Sequence, residues 1–183
     1  MRTYDFTPET TELIAKRMYT TAGKKFLSPT YRLIKDREFF ILSPLTSLLK
    51  TNDKEIFSLN EDDKEFSNEI LHLKIEIMKG TLSDVKDKSK LVAYLDYDKL
   101  DFPLTLRKWK QGDSFYPLGM KGKKKLSDFF IDSKIPVNDK ENTWILESDQ
   151  KIAWIVGHRI DNRFKIKPST KRIYKAILSI KAM

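Results

Sequence analysis

The chain has 183 residues, a formal net charge of +9 and no cysteine; 40% of it is hydrophobic and 33% is charged. This composition is typical of a soluble globular protein with one ordinary domain or two small ones, and it excludes the disordered and membrane classes. The lack of cysteine excludes disulfides, thiolate zinc sites and cysteine nucleophiles. The positive charge favours an anionic partner such as nucleic acid, although a basic protein without such a partner would have the same total.

The first third of the chain predicts a short helix followed by strands. Thr7-Pro8-Glu9 is typical of a helix start, with a hydroxyl cap, proline at the first position and an acid in the first turn. Residues 26–30 and 31–42 alternate as strands, and 35–38 suits a hairpin turn. The acidic segment 51–64 predicts a linker or mobile loop.

The rest of the chain predicts further strands and one helix. Strand patterns occupy residues 70–78, 91–95, 104–109, 144–146 and 152–156. Leu126, Phe129 and Phe130 fall at helical spacing, whereas residues 173–180 fit a helix and a strand equally well. We therefore predict an α+β fold that is rich in antiparallel strands.

Signals for targeting and for membrane insertion are missing from the sequence. The N-terminal stretch has acidic residues and no apolar segment, which predicts no signal peptide. The longest apolar runs are too short to span a bilayer. We therefore expect a cytoplasmic protein without a membrane partner.

Patterns for enzymatic chemistry are weak. Residues 119–123 look like a phosphate loop, but the Walker spacing needs a glycine where this chain has Pro117. His72 and His158 lie in strand patterns without metal-ligand spacing, which favours structural histidines and predicts no metal. A small enzyme that uses His158 with Asp161 is left as an alternative, although no nucleophile is recognisable.

Positive charge is concentrated between residues 104 and 127. Gly112, Gly119 and Gly122 are expected to shape the loop there. The lysines that follow would lie beside backbone N–H groups of a turn and a helix start, a combination that suits phosphate oxygens. Because lysine binds phosphate as a point charge, such a loop positions a nucleic-acid backbone and does not read its sequence.

The sequence thus predicts a set of RNA-facing cations and a core. Phe115 and Tyr116 either stack on a base or anchor the loop, and a solvated loop without a partner is the alternative to RNA binding. The predicted RNA-facing residues are Arg107, Lys108, Lys121, Lys123, Lys124, Lys125, Arg159, Arg163 and Lys165. The predicted core residues are Leu106, Trp109, Leu126, Phe129, Phe130, Trp154 and Val156.

These residues resemble a known family. The motifs are PLTLRKW at 103–109, Gly112-Asp113, PLGMKGKKKLSDFF at 117–130, and IAWIVGHRID at 152–161 followed by Arg163-Phe164-Lys165. In order and spacing they resemble the C-terminal domain of bacterial tRNA(Ile)-lysidine synthetase, most diagnostically over residues 101–177. Residues 23–37 more weakly resemble the segment that precedes that domain.

The resemblance implies a function that the chain would share with a larger enzyme. The family uses ATP and free lysine to convert the wobble cytidine of an isoleucine tRNA with a CAU anticodon to lysidine. Its catalytic domain carries an S-G-G-x-D-S phosphate loop, and no such motif occurs in this sequence. The chain therefore resembles a C-terminal part that holds the tRNA, notably its acceptor stem. No catalytic residue and no cofactor are expected in it, because ATP and Mg²⁺ would bind the catalytic domain.

The resemblance also implies an organisation. Residues 1–65 would form a helix, a hairpin and an acidic linker, and residues 66–183 the C-terminal domain. That domain is expected to be β-rich with a small helical layer, similar to a domain of the phenylalanyl-tRNA synthetase β subunit, which favours a strand near residues 172–178. Expected partners are the tRNA and the catalytic domain. A module for packing or dimerisation, with a solvated basic loop, is the rival interpretation.

Overall fold

A computed structural model describes residues 4–19, 23–45, 55–81, 83, 85, 87 and 89–180. The chain forms two compact units, residues 1–53 with 134–142 and residues 54–133 with 143–183. In chain order the elements are α1 (Pro8–Lys16), β1 (Lys25–Leu27), β2 (Tyr31–Asp36), β3 (Phe39–Pro44), β4 (Ile56–Leu59), β5 (Glu65–Ser67), β6 (Leu71–Lys79), β7 (Val92–Asp96), β8 (Leu104–Lys108), β9 (Ser114–Phe115), β10 (Lys124–Lys125), α2 (Leu126–Asp132), α3 (Val137–Glu141), β11 (Trp144–Ser148), β12 (Lys151–Ile155), β13 (Arg159–Ile160) and β14 (Arg172–Ile180).

The first unit is a three-stranded antiparallel sheet, β1-β2-β3, with α1 and α3. Helix α1 begins as predicted, because the Thr7 hydroxyl accepts a hydrogen bond from the Thr10 N–H at 3.2 Å and Pro8 follows it. The core of this unit is made by Phe6, Ile14, Phe26 and Leu33.

A buried arginine joins α3 to this sheet. Arg32 donates to Glu141 Oε2 at 2.6 Å and to Asn138 Oδ1 at 2.9 Å, and Lys25 pairs with the other Glu141 oxygen. Burial alone would raise the pKa of Glu141, but hydrogen bonds from Lys25 and Arg32 outweigh it and hold the pKa below its usual value. This contact explains why a segment far along the chain belongs to the first unit.

The second unit packs two antiparallel sheets around one core. Their strand orders are β13-β12-β11-β8-β4 and β5-β6-β14-β7. Leu106 and Trp154 of the five-stranded sheet share that core with Leu73 and Tyr174 of the four-stranded sheet. Each strand places alternate residues inward, so the apolar periodicity of the sequence accounts for this core.

An ion cluster lies on the other side of the central strand β8. Arg107 alternates with core residue Leu106, and its guanidinium bonds Asp113 through two contacts at 2.9 Å and Glu147 through Nε at 2.8 Å. Burial alone would lower the pKa of Arg107, but hydrogen bonds to Asp113 and Glu147 outweigh it and raise the pKa above its usual value. Arg107 is buried, the side chains of Asp113 and Glu147 are only 7% and 12% exposed, and the one guanidinium pairs with both carboxylates.

The predicted fold class is confirmed, and most predicted elements are present. Residues 172–180 form a strand, which settles the earlier ambiguity. The linker or loop predicted for 51–64 is wrong for residues 56–59, which form β4 and pair with β8, whereas residues 60–64 form a turn and irregular structure. Residues 51–54 lie outside the described residues. Helix α3 was not predicted. No helix in the described parts of the chain is long and apolar enough to cross a membrane.

The compact units differ from the division expected between residues 65 and 66. The boundary falls after residue 53, because β4 belongs to the five-stranded sheet of the second unit. Residues 134–142 belong to the first unit although the sequence assigned them to the second.

Because of the buried ion cluster, we predict that two arginines contribute very differently to stability, although the sequence predicted an RNA-facing role for both. Arg107→Leu should lower the free energy of unfolding by about 3–5 kcal/mol, because Asp113 and Glu147 would remain buried without a counter-charge. Arg159 is exposed, so Arg159→Leu should cost less than about 1 kcal/mol. Urea unfolding followed by tryptophan fluorescence measures both; equal losses would contradict a structural role for Arg107.

The Arg32–Glu141 contact predicts a pH-dependent stability of the first unit. A carboxyl whose folded pKa is lowered stabilises above its unfolded value of about 4.3 and loses that contribution as the pH falls below it. Glu141→Gln should therefore lower the opening free energy of β2 amides by about 2 kcal/mol at neutral pH and by less in acid. Hydrogen exchange measures this, with the exposed Glu12→Gln as control. Equal protection in the two variants would contradict the assignment.

Candidate nucleic-acid interface

The predicted basic loop connects two short paired strands. Strands β9 and β10 are antiparallel, with Lys124 opposite Phe115, and we call residues 116–125, the connection together with β10, the basic loop. Phe115 is fully buried and contacts Phe129 of α2 edge to face at 5.2 Å between ring centroids. Of the two roles considered for Phe115, the structure therefore supports the loop anchor and not the stacking platform.

Two glycines of the basic loop, and Gly112 just before β9, give this region its backbone path. Gly112, Gly119 and Gly122 have φ angles of +94°, +83° and +97°. A Cβ added at Gly122 would meet no atom within 4 Å, so the backbone conformation and not the space demands glycine there. All three φ angles lie in the region that favours glycine, and the loop-shaping role of these positions stays a prediction.

The lysines of the basic loop differ in their surroundings. Lys121, Lys123 and Lys125 are exposed, and none of them forms an ion pair with another described residue. Lys124 is half-buried and pairs with Asp132 of α2. Three lysines of the loop therefore remain available to an anionic partner.

The start of α2 contributes less to the site than the sequence suggested. The first N–H of α2, on Leu126, donates to the Asp113 carbonyl at 2.9 Å. Helix α2 has only seven residues. The positive character of the interface therefore comes from side chains.

A buried carboxylate fastens the basic loop to the segment around β13. Asp161 is fully buried and accepts hydrogen bonds from the backbone N–H groups of Tyr116 and Arg163, both at 2.8 Å. The Leu118 N–H donates to the Ile160 carbonyl at 3.1 Å. The two segments that carry most of the family resemblance are thus joined in space.

Two arginines of that segment lie beside the loop, one in an ion pair and one exposed. Arg163 pairs with Asp161 at 2.8 Å, and its guanidinium lies 4.8 Å from the Tyr116 ring centroid. Arg159 is exposed and donates through Nη1 to the Leu118 carbonyl at 3.1 Å. Arg163 therefore covers one face of Tyr116, while Arg159 extends the exposed positive surface of the loop.

Two predicted RNA-facing residues are buried, and the prediction needs correction for them. Arg107 is held in its ion cluster, and Lys108 is buried with its Nζ 4.6 Å from the Trp144 ring centroid. Both belong to β8, which has a neighbouring strand on each side. Charge alone could not distinguish a central strand from an exposed one. Lys165 is half-buried, and its backbone forms an isolated bridge to Leu95.

The two residues of the enzyme alternative, His158 and Asp161, both have structural partners. Both carboxylate oxygens of Asp161 accept hydrogen bonds from Arg163. His158 is half-buried and lies edge-on to Phe130, with 6.4 Å between ring centroids. Among the described residues, no group of three or more His, Cys, Asp and Glu could hold a metal ion.

Sequence reasoning missed a groove next to the loop. It has a volume of about 790 Å³ and is lined in part by Tyr94, Leu118 and Ile160. Strands β7 and β13, to which Tyr94 and Ile160 belong, are far apart in sequence, so no local pattern indicated the groove. The signal that the sequence offered was the pair Lys165 and Lys167, which both line the groove.

Comparison with known proteins gives two matching family models. The TilS substrate C-terminal domain model matches residues 104–177, and the TilS substrate binding domain model matches residues 1–45. Together they cover more than half of the chain. The tRNA(Ile)-lysidine synthase of Parabacteroides distasonis is 46% identical over 94% of this chain and 38% of its own length. This chain thus spans about two fifths of that relative.

Two solved structures align with this chain, and the first of them is similar in fold. A crystal structure of a TilS C-terminal domain aligns with a TM-score of 0.54 and 20% identity over 69% of this chain and 92% of that one. An N-terminal fragment of the phenylalanyl-tRNA synthetase β subunit from Pyrococcus horikoshii aligns with a TM-score of 0.44 and 16% identity over 49% of this chain and 28% of that one. From the family models and the relative, the chain belongs to the tRNA(Ile)-lysidine synthase family and carries its substrate-binding and C-terminal domain segments.

Proposed function

We propose that this chain holds tRNA during lysidine synthesis and contacts the phosphates of the acceptor stem. The observation that carries the proposal is the group of exposed cations on a fastened loop, Lys121, Lys123 and Lys125 with Arg159 beside them. Phe115 and Asp161 fix that loop to the second unit. A fixed loop loses little conformational freedom on binding, which favours affinity.

The chemistry of these side chains supports a backbone contact. Lysine ammonium groups bind phosphate oxygens without distinguishing bases, so the surface would position an RNA helix. Double-stranded RNA is recognised mostly by shape and through phosphates and 2′-hydroxyls, which suits a stem. The relative from Parabacteroides distasonis is named for a tRNA substrate, which agrees with this choice of RNA.

The wider setting follows from the same proposal. The conversion of the wobble cytidine of an isoleucine tRNA would take place on a catalytic domain that binds ATP and Mg²⁺. The residues of this chain would act by holding the tRNA elsewhere along its length. The cytoplasm, where tRNA is modified, is the proposed location.

A charge-reversal pair tests the contact surface. Lys121→Glu with Lys123→Glu should weaken binding to an acceptor-stem hairpin on the order of 10- to 100-fold at about 100 mM salt, because two phosphate contacts are lost. Hairpins of different sequence should show the same loss. Fluorescence anisotropy measures the affinities, and circular dichroism verifies the fold of each variant.

The matched control places the same charge change elsewhere on the second unit. Lys64 and Lys151 are exposed, so Lys64→Glu with Lys151→Glu alters the net charge equally without touching the basic loop. This control should bind within a few-fold of the unaltered chain. Equal losses in the two double variants would reject the loop as the contact and leave only a general charge effect.

A second candidate function is packing against another protein surface or a second copy. It is favoured by exposed apolar side chains of the first unit, with Tyr19 93%, Phe39 72% and Leu27 61% exposed. RNA affinity unchanged by Lys121→Glu with Lys123→Glu, together with concentration-dependent dimerisation in sedimentation, would favour this candidate.

A further inference from the structure

The groove beside the basic loop combines an apolar floor with a positive rim. Tyr94 of β7, Leu118 of the basic loop and Ile160 of β13 are among its apolar lining residues, which we call the floor. Asp87 is the one acidic residue among the described residues that line the groove. The cations among the described lining residues, which we call the rim, are Lys90, Arg159, Lys165 and Lys167.

The groove is continuous with the proposed RNA surface. Leu118 belongs to both, and its carbonyl accepts the hydrogen bond from Arg159, which also lines the groove. The Leu118 N–H is bonded to Ile160 in the floor. A strand of RNA that follows the exposed lysines can therefore enter the groove without leaving the positive surface.

Lys165 and Lys167 of the groove lining lie close enough to a third lysine, Lys99, to repel it. Lys99 donates to the Arg163 carbonyl at 3.0 Å and lies 3.8 Å from Asp96. Burial lowers the pKa of Lys99, and repulsion from Lys167, and less from Lys165, lowers it further, while Asp96 acts in the opposite direction. A phosphate between these lysines would relieve that repulsion.

The chemistry of the floor selects unpaired RNA. A duplex keeps its base faces stacked inside the helix, so it would leave an apolar groove uncovered. An unpaired nucleotide presents a base face for an aromatic or apolar floor and a phosphate for the rim. The volume of about 790 Å³ lies in the usual range of small-ligand sites.

We infer that this groove binds unpaired nucleotides that adjoin the RNA duplex held by the basic loop. The inference rests on the proposed function and extends it from phosphate contacts to base contacts. Tyr94 would stack on a base, and Lys165 and Lys167 would hold the adjoining phosphates. Such stacking tolerates every base, so the groove would recognise the single-stranded state of the RNA and not its sequence.

Three RNA hairpins with the same stem test the inference. One is blunt, one carries a short single-stranded 3′ extension, and one carries an extension of equal length without bases. The extension with bases should tighten binding of the full chain about tenfold over the blunt hairpin. The base-free extension keeps its phosphates, so it should give only the part of that gain that comes from phosphate contacts and decreases with salt.

Two variants test whether the groove causes the gain in affinity from the extension with bases. Tyr94→Ala should remove most of the tenfold gain and leave blunt-hairpin affinity within about twofold, since stacking acts only on the unpaired bases. Lys167 is exposed, so Lys167→Glu tests the groove with a folded chain even where Tyr94→Ala unfolds. The controls are Tyr19→Ala and Lys79→Glu, at exposed positions outside the groove lining.

The outcomes separate the inference from the proposed function. A blunt hairpin that binds while the extension with bases adds nothing, or adds no more than the base-free one, overturns the groove as a base site and leaves the proposed function intact. A gain that survives both Tyr94→Ala and Lys167→Glu overturns it too. Failure of all three hairpins to bind overturns the proposed function and the inference together.

Discussion

The hydrogen bonds of one buried carboxylate hold the candidate interface in place. Asp161 accepts from the backbone of Tyr116 at the start of the basic loop and from both the backbone and the guanidinium of Arg163. Charge-assisted bonds to a carboxylate inside a protein are strong and directional. They place the exposed lysines of a glycine-rich loop, the exposed Arg159 and the groove floor on one supported surface.

Cations of the same type have two different uses in this chain. Arg107 and Lys108 lie in a central strand and stabilise the fold through carboxylates and an aromatic ring. Lys121 and Lys123 lie in the loop, exposed and without an ion pair to the described residues. Removing a buried, paired charge costs folding free energy, whereas removing an exposed one costs little. Stability and RNA affinity therefore depend on separate sets of residues.

Local patterns predicted much of the fold and part of the site. The alternation in residues 70–78 was sufficient to predict β6, and the helical spacing around Phe129 was sufficient to predict α2, because one face of each element is buried. Strand β4 was not predicted, because it has only four residues and lies within an acidic stretch of the sequence. The bonds from Arg32 to Glu141 and from Arg107 to Glu147 join residues far apart in sequence, so only the tertiary structure could reveal them.

The most direct test of the central claim is the salt dependence of binding to a blunt acceptor-stem duplex. Four exposed cations, Lys121, Lys123, Lys125 and Arg159, are available to phosphates. Because each neutralised phosphate adds about −0.9 to the slope of log affinity against log salt concentration, the account predicts a slope between about −3 and −4. A slope near zero, or no binding at about 50 mM salt, would contradict the account.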